Sequence, residues 1–293
     1  MNKFRYKIDF MPLVLFSQLM ASFVLYYIKS RIDISVPGSL ILNSTFSFVV
    51  PIFLYKLISG KKFTELLMLN PLSFKNIGYI LAITLFMYPM MNSVAGFSSL
   101  FFKNYVSDTI MELKGYSFYY IAFSLAVIPA VLEEAAFRGV LFSQYKNMNI
   151  IKAALLNGLF FGLVHLNLQQ FSYAFFIGFI FSILVSSTKS IYSSVIAHFV
   201  INFTSCCISY IGLNDNGLQS AVNISTKEML ISLMAIFILT VFPFTYILNK
   251  FISYNKKALN NLNDFDISSR KLINPLFILT FLAYIYLLII NSF

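Results

Sequence analysis

Apolar residues along this chain gather into nine long runs separated by short polar breaks, roughly at 9–28, 38–58, 76–101, 117–136, 151–166, 169–187, 190–212, 229–249 and 273–291. Most are near the roughly 20 residues that a helix needs to cross a bilayer core. No alternating polar–apolar stretch competes with them, so the pattern predicts helices throughout. The expected fold is all-α: a polytopic transmembrane helix bundle of eight or nine spans, built as a single membrane domain over 1–293. Between the second and third runs, Lys61-Lys62-Phe63-Thr64-Glu65-Leu66-Leu67 reads as a short amphipathic segment at the interface, and Pro71 breaks the chain before the third. The segment 250–272 mixes Lys, Asn, Asp and Ser and reads as the longest solvated loop. Met1 to Lys7 resembles a basic leader, but the apolar stretch after it is long and lacks a small-residue cleavage pattern, so a retained first helix is expected.

Composition agrees with the pattern. Hydrophobic residues make up 59% of the chain, charged residues 11%, and the mean hydropathy is +0.80. A soluble domain carries about 25% charged residues, so lipid is the expected solvent for most of this surface and a soluble globular class is excluded. The net charge of +10 sits between apolar runs with no basic stripe of interleaved aromatics, which argues for contact with anionic lipid and against nucleic acid. With the N-terminus cytoplasmic, most of the Lys and Arg fall on that side, among them Lys61, Lys62, Lys256, Lys257, Arg270 and Lys271, as the positive-inside bias requires. Cys206 and Cys207 are neighbours within an apolar run and read as packing residues.

Some polar residues sit where lipid would penalise them. Glu133-Glu134-Ala135-Ala136-Phe137-Arg138 directly follows an apolar stretch. A charge at the bilayer centre costs roughly 2.5–3.5 kcal/mol on insertion scales. Glu134 and Arg138 are spaced for one helical face, whereas Glu133 points about 100° away. The bland alternative is a helix end at the interface with both side chains in water. The chain's two histidines, His165 and His198, also fall in apolar runs, and His198 shares a face with Asn202. Gly178 and Ser182 have a small-xxx-small spacing, which is packing rather than chemistry. At about 1.5 Å per residue, His198 lies about 12 Å into its run and His165 about 21 Å into one of opposite direction, so their meeting requires an unusual start or tilt for the helix carrying His165.

A carboxylate, two imidazoles and an amide in a dry cavity suit hydrolysis. Buried carboxylates act as general bases on water, and His and Asn donate to a developing oxyanion. Glu133, His165 and His198 are also a candidate zinc set with an open position, although the spacing of soluble zinc proteases is absent.

The order E-E-x-x-x-R, then F-x-x-x-H, then H-x-x-x-N resembles the CPBP (Abi) family of intramembrane proteases, which includes the type II CAAX prenyl endopeptidases and bacteriocin-processing enzymes. The matching residues are Glu133, Glu134 and Arg138; Phe161 and His165; His198 and Asn202. The likeness covers about 115–212, a four-helix core that includes Thr188-Lys189-Ser190-Ile191. It implies Glu133 as general base, His165 as the holder of water, His198 and Asn202 as oxyanion donors, and Glu134 with Arg138 as framework. It leaves zinc and a metal-independent glutamate mechanism equally open. The implied partners are membrane lipid and a peptide or lipidated-protein substrate, cut near the cytoplasmic leaflet. Abundant Phe, Ile, Asn and Lys without Trp suggests an AT-rich bacterial genome, hence a bacterial plasma membrane and an unprenylated substrate. The competing class is non-enzymatic: an immunity factor, or a transporter, for which no inverted repeat is visible.

Overall fold

The computed structural model describes residues 9–145, 148–214, 225–256 and 275–292. Among them the chain is an all-helical bundle of α1 (Phe10–Lys29), α2 (Val36–Ser59), α3 (Phe63–Leu67), α4 (Phe74–Ser98), α5 (Tyr105–Glu112), α6 (Phe118–Gln144), α7 (Ile150–Leu163), α8 (Leu168–Thr188), α9 (Tyr192–Asn214), α10 (Thr226–Tyr254) and α11 (Pro275–Ile290). Seven are long and apolar enough to cross a membrane: α1, α2, α4, α6, α8, α9 and α10. The runs expected at 151–166 and 273–291 form the shorter apolar helices α7 and α11. The protein is an integral membrane protein. α10 turns the most apolar surface outward, with Met234, Leu239 and Phe242 more than 60% exposed.

Polar residues start the helices where backbone N–H groups need acceptors. Ser35, Ser73, Asn149 and Asn167 accept from the first turns of α2, α4, α7 and α8, and Ser225 with Glu228 forms a reciprocal capping box on α10. Gly60 ends α2 in the left-handed region. Helix α10 runs on to Tyr254 and buries Phe251 against the bundle, so residues 250–254 are helical. The solvated loop expected from 250 therefore begins later, and 257–272 lies outside the described residues, as does the basic start of the chain, Met1 to Lys7.

Hydrogen bonds fix the two ends of the bundle. At the end where α1 begins, Phe10 N–H donates to Gln144, Asn70 donates to the Lys189 carbonyl at 2.6 Å, and Ile191 N–H donates to the Met68 carbonyl. The interfacial segment 63–67, expected to be amphipathic, is the one-turn helix α3, with Leu66 fully buried and Leu67 packed against Gly139 of α6. At the opposite end, Ser35 meets the Tyr120 hydroxyl at 3.1 Å, and Asn167 donates to the carbonyls of Lys103 and Asn291.

Helices α7 and α8 form the tightest hairpin. A Cβ placed on Gly158 would lie 2.7 Å from the Phe175 carbonyl, and one on Gly178 would lie 2.8 Å from Gly158 Cα. Only glycine permits this approach. Ser182, four residues after Gly178, donates to both the Gly178 carbonyl and the Asn157 side chain, so the small-residue spacing serves packing, as expected.

Candidate active site

Helix α6 is not a uniform α-helix. It widens into π-helical turns at Phe123–Val127 and Ala135–Leu141, either side of the α-helical stretch that ends in Glu133 and Glu134. Such bulges cost backbone hydrogen bonding and need outside donors. Here two asparagines supply them. Asn202 of α9 donates to the Leu125 carbonyl at 3.0 Å, and Asn157 of α7 donates to the Phe137 carbonyl at 2.7 Å. Each bulge is thus pinned to a neighbouring helix, with the glutamates held between.

Because α6 continues to Gln144, Glu134 and Arg138 are not a solvated helix end. Both are 0% exposed, and Arg138 Nη1 donates to Glu134 Oε1 at 3.0 Å. The guanidinium lies over the Phe161 ring at 4.2 Å and near that of Phe181 at 5.2 Å. Its Nε and Nη2 have no hydrogen-bond partner, so ring faces and the one carboxylate supply the compensation that a buried cation requires.

The Glu134 carboxylate also holds His198, whose Nδ1 lies 2.8 Å from Oε1. An oxygen already accepting from Arg138 is a carboxylate acceptor, so Nδ1–H is the donor and Nε2 is left for the cavity. His165 is fixed the same way. Its Nδ1 lies 2.7 Å from the Phe161 carbonyl, which can only accept. The Phe161 ring separates the imidazoles, with centroids 5.2 Å from His165 and 6.0 Å from His198. Both rings therefore offer Nε2 as their free nitrogen.

The difficulty of depth for His165 resolves in the α7–α8 turn. α7 is only 14 residues long, and the carbonyl of Val164 accepts from Gln18, about 12 Å into α1. The turn bearing His165 thus lies inside the bundle, where His165 lines the same cavity as Glu133.

Glu133, His165, His198 and Asn202 all line one cavity of about 780 Å³, while Glu134 and Arg138 lie behind its wall. From Glu133 the cavity extends past Tyr88 and Asn92 to Asn104, Thr109 and Leu113. It leads to the end of the bundle opposite the start of α1, and none of the residues at the α1 end borders it. The expected cytoplasmic N-terminus and the expected site near the cytoplasmic leaflet therefore exclude one another in this arrangement. Glu133 had seemed close to a helix end only because the apolar run stops before α6 does.

The expected zinc set does not fit. Among the described residues, no three His, Cys, Asp or Glu side chains are grouped to hold a metal ion.

Residues 115–204 match the family model described as Type II CAAX prenyl endopeptidase Rce1-like. The core of this chain is similar to that family. The matched segment runs from α6 into α9 and includes Glu133, Glu134, Arg138, Asn157, His165, His198 and Asn202. The chain is also 32% identical over 78 residues to the Bacillus subtilis (strain 168) protein named "Putative membrane peptidase YdiL". That alignment covers 26% of this chain and 32% of the relative, so the chain matches about a third of that protein's length. No solved structure matches.

Two residues of the site escaped the sequence reading: Asn157, which is fully buried, and Gln169, which borders the cavity. The signal for Asn157 was available, since an amide inside an apolar run needs a partner there for the same reason as Asn202.

Proposed function

We propose that this protein is an intramembrane endopeptidase that hydrolyses a peptide bond of a membrane-associated peptide or protein with a water activated by Glu133. The observation that carries this reading is the division of the polar residues: Glu133, His165, His198 and Asn202 on one cavity wall, Glu134 and Arg138 buried behind it.

In this reading a water accepts positioning from both sides, donating to His165 Nε2 while Glu133 takes its second proton as it attacks the carbonyl. The developing oxyanion needs donors. Asn202 spends one N–H on the Leu125 carbonyl and keeps the other. His198 Nε2 donates only in the protonated ring, and the Glu134 carboxylate at its Nδ1 is the counter-charge that form requires. Glu133 then passes its proton to the leaving amine. Arg138 keeps Glu134 ionised, so its contribution is made through His198.

Substrate capture tests the proposal. Glu133→Gln expressed in place of the unmodified chain should accumulate an uncleaved, bound polypeptide. A cell-protective effect that persists unchanged in Glu133→Gln would favour an immunity role over hydrolysis.

A further inference from the structure

The turn that carries His165 is held by residues from both ends of the chain. Between α7 and α8 the backbone reverses over Val164-His165-Leu166-Asn167, and Leu166 sits in the left-handed region at φ 54°. A leucine is strained there, and such a conformation persists only where its surroundings enforce it. Gln18 of α1 donates from Nε2 to the Val164 carbonyl at 3.0 Å, and its Oε1 accepts from the Tyr284 hydroxyl of α11 at 3.0 Å. Because a backbone carbonyl only accepts, the Gln18 amide has one orientation, and the hydroxyl of Tyr284 locks it. On the other side of His165, Leu168 N–H donates to Ser292 Oγ at 2.7 Å, and Asn167 donates to the Asn291 carbonyl. Both partners stand just beyond α11.

Gln18, Tyr284 and Ser292 all lie outside the matched segment 115–204. Tyr284 is fully buried, Ser292 nearly so, and neither borders the cavity. The His165 ring is tied through Nδ1 to the Phe161 carbonyl of its own helix, so the direction of Nε2 follows the position of the turn. We infer that Tyr284, acting through the Gln18 amide, and Ser292 are positioning residues for His165. Helix α11 clamps the turn from both sides and sets where Nε2 stands relative to Glu133. The consequence for catalysis rests on the hydrolytic reading above, whereas the clamp itself is tested without cleavage.

The chain has two histidines, so the full chain with ¹³C,¹⁵N-labelled histidine, placed in lipid nanodiscs without a polyhistidine tag, gives two imidazole signals in NMR. His165→Gln assigns them. Tyr284→Phe, which removes a single hydroxyl, should shift or split the His165 signal and leave that of His198 in place, and Ser292→Ala should do the same. An unmoved His165 signal, or equal movement of both, would overturn the clamp whether or not the protein cuts peptide bonds. The catalytic consequence is read on the best-cleaved peptide of a proteome-derived library, with Glu133→Gln as blank. Tyr284→Phe should lower kcat at least about tenfold with KM within about twofold, since a misplaced water slows the chemistry and not the binding. Added to Gln18→Leu, it should cost nothing further, because the amide that carries its effect is gone. Phe251→Leu, a packing change beside Tyr79 in α4, is the control for stability. If it lowers kcat as much at the same thermal midpoint, the positioning role is contradicted. An unmodified chain that cuts nothing beyond the blank removes the peptidase reading, and the histidine signals still decide the clamp.

Discussion

The imidazole of His198 and the carboxylate of Glu134 meet at 2.8 Å, Nδ1 to Oε1, with Arg138 on the same oxygen at 3.0 Å. A cation, an anion and an imidazole thus form one chain from the core to the cavity wall. Removing one partner of a buried pair strands the other, at about 3–5 kcal/mol, whereas replacing both by apolar groups is often neutral. Glu134→Ala should therefore lower the thermal midpoint strongly in detergent. The double variant Glu134→Leu/Arg138→Met should recover most of that stability and still be inactive, because His198 has lost its orienting acceptor. A double variant with full activity would show that the chain of three serves folding alone.

The asparagines at the π-helical turns make a separate prediction. Asn157→Leu leaves the Phe137 carbonyl without its side-chain donor, while the Ser182 hydroxyl keeps the Gly178 carbonyl, a loss of about 1–3 kcal/mol for the unsatisfied buried group. Activity should fall further than stability explains, since the bulge sets the direction of Glu133. Comparing kcat with thermal midpoint across Asn157→Leu and Asn157→Ser separates the effects; a kcat that simply tracks the folded fraction would reduce Asn157 to a packing residue.

Much of this site was legible in the sequence because charge in an apolar run is an anomaly that demands a partner. Glu133, Glu134, Arg138, His165, His198 and Asn202 were each visible on that ground, and the helices followed from the runs themselves. The π-helical turns were not. Residues 123–127 and 135–141 have no composition that marks them, since their widened geometry depends on donors from α7 and α9. The full length of α6 was missed for a related reason. Hydropathy ended the fourth run before Arg138, whereas the helix continues because Arg138 is covered by Phe161 and Phe181.

Access to the cavity can be read by labelling. With the native cysteines replaced, Asn104→Cys at the cavity mouth and Lys62→Cys near the start of α3 should react with a membrane-impermeant thiol reagent from opposite faces. With a cytoplasmic N-terminus, Asn104→Cys labels in intact cells and Lys62→Cys only after permeabilisation. Labelling of both from one face would contradict the arrangement.

Metal removal is expected to have no effect. With Glu133, His165 and His198 ungrouped as ligands, prolonged dialysis against a strong chelator should leave the cleavage rate unchanged. Loss of activity that zinc restores would require the donors to regroup when substrate binds.

The most direct measurement is of new N-termini. Membranes carrying the unmodified chain and membranes carrying Glu133→Gln, matched for protein level and thermal midpoint, are compared by N-terminal mass spectrometry after incubation in ¹⁸O-labelled water. The account predicts peptide N-termini present only with the unmodified chain, with ¹⁸O in the carboxylate of the matching upstream fragment. The same cleavage products from both membranes would contradict the role of Glu133 as the base that activates water.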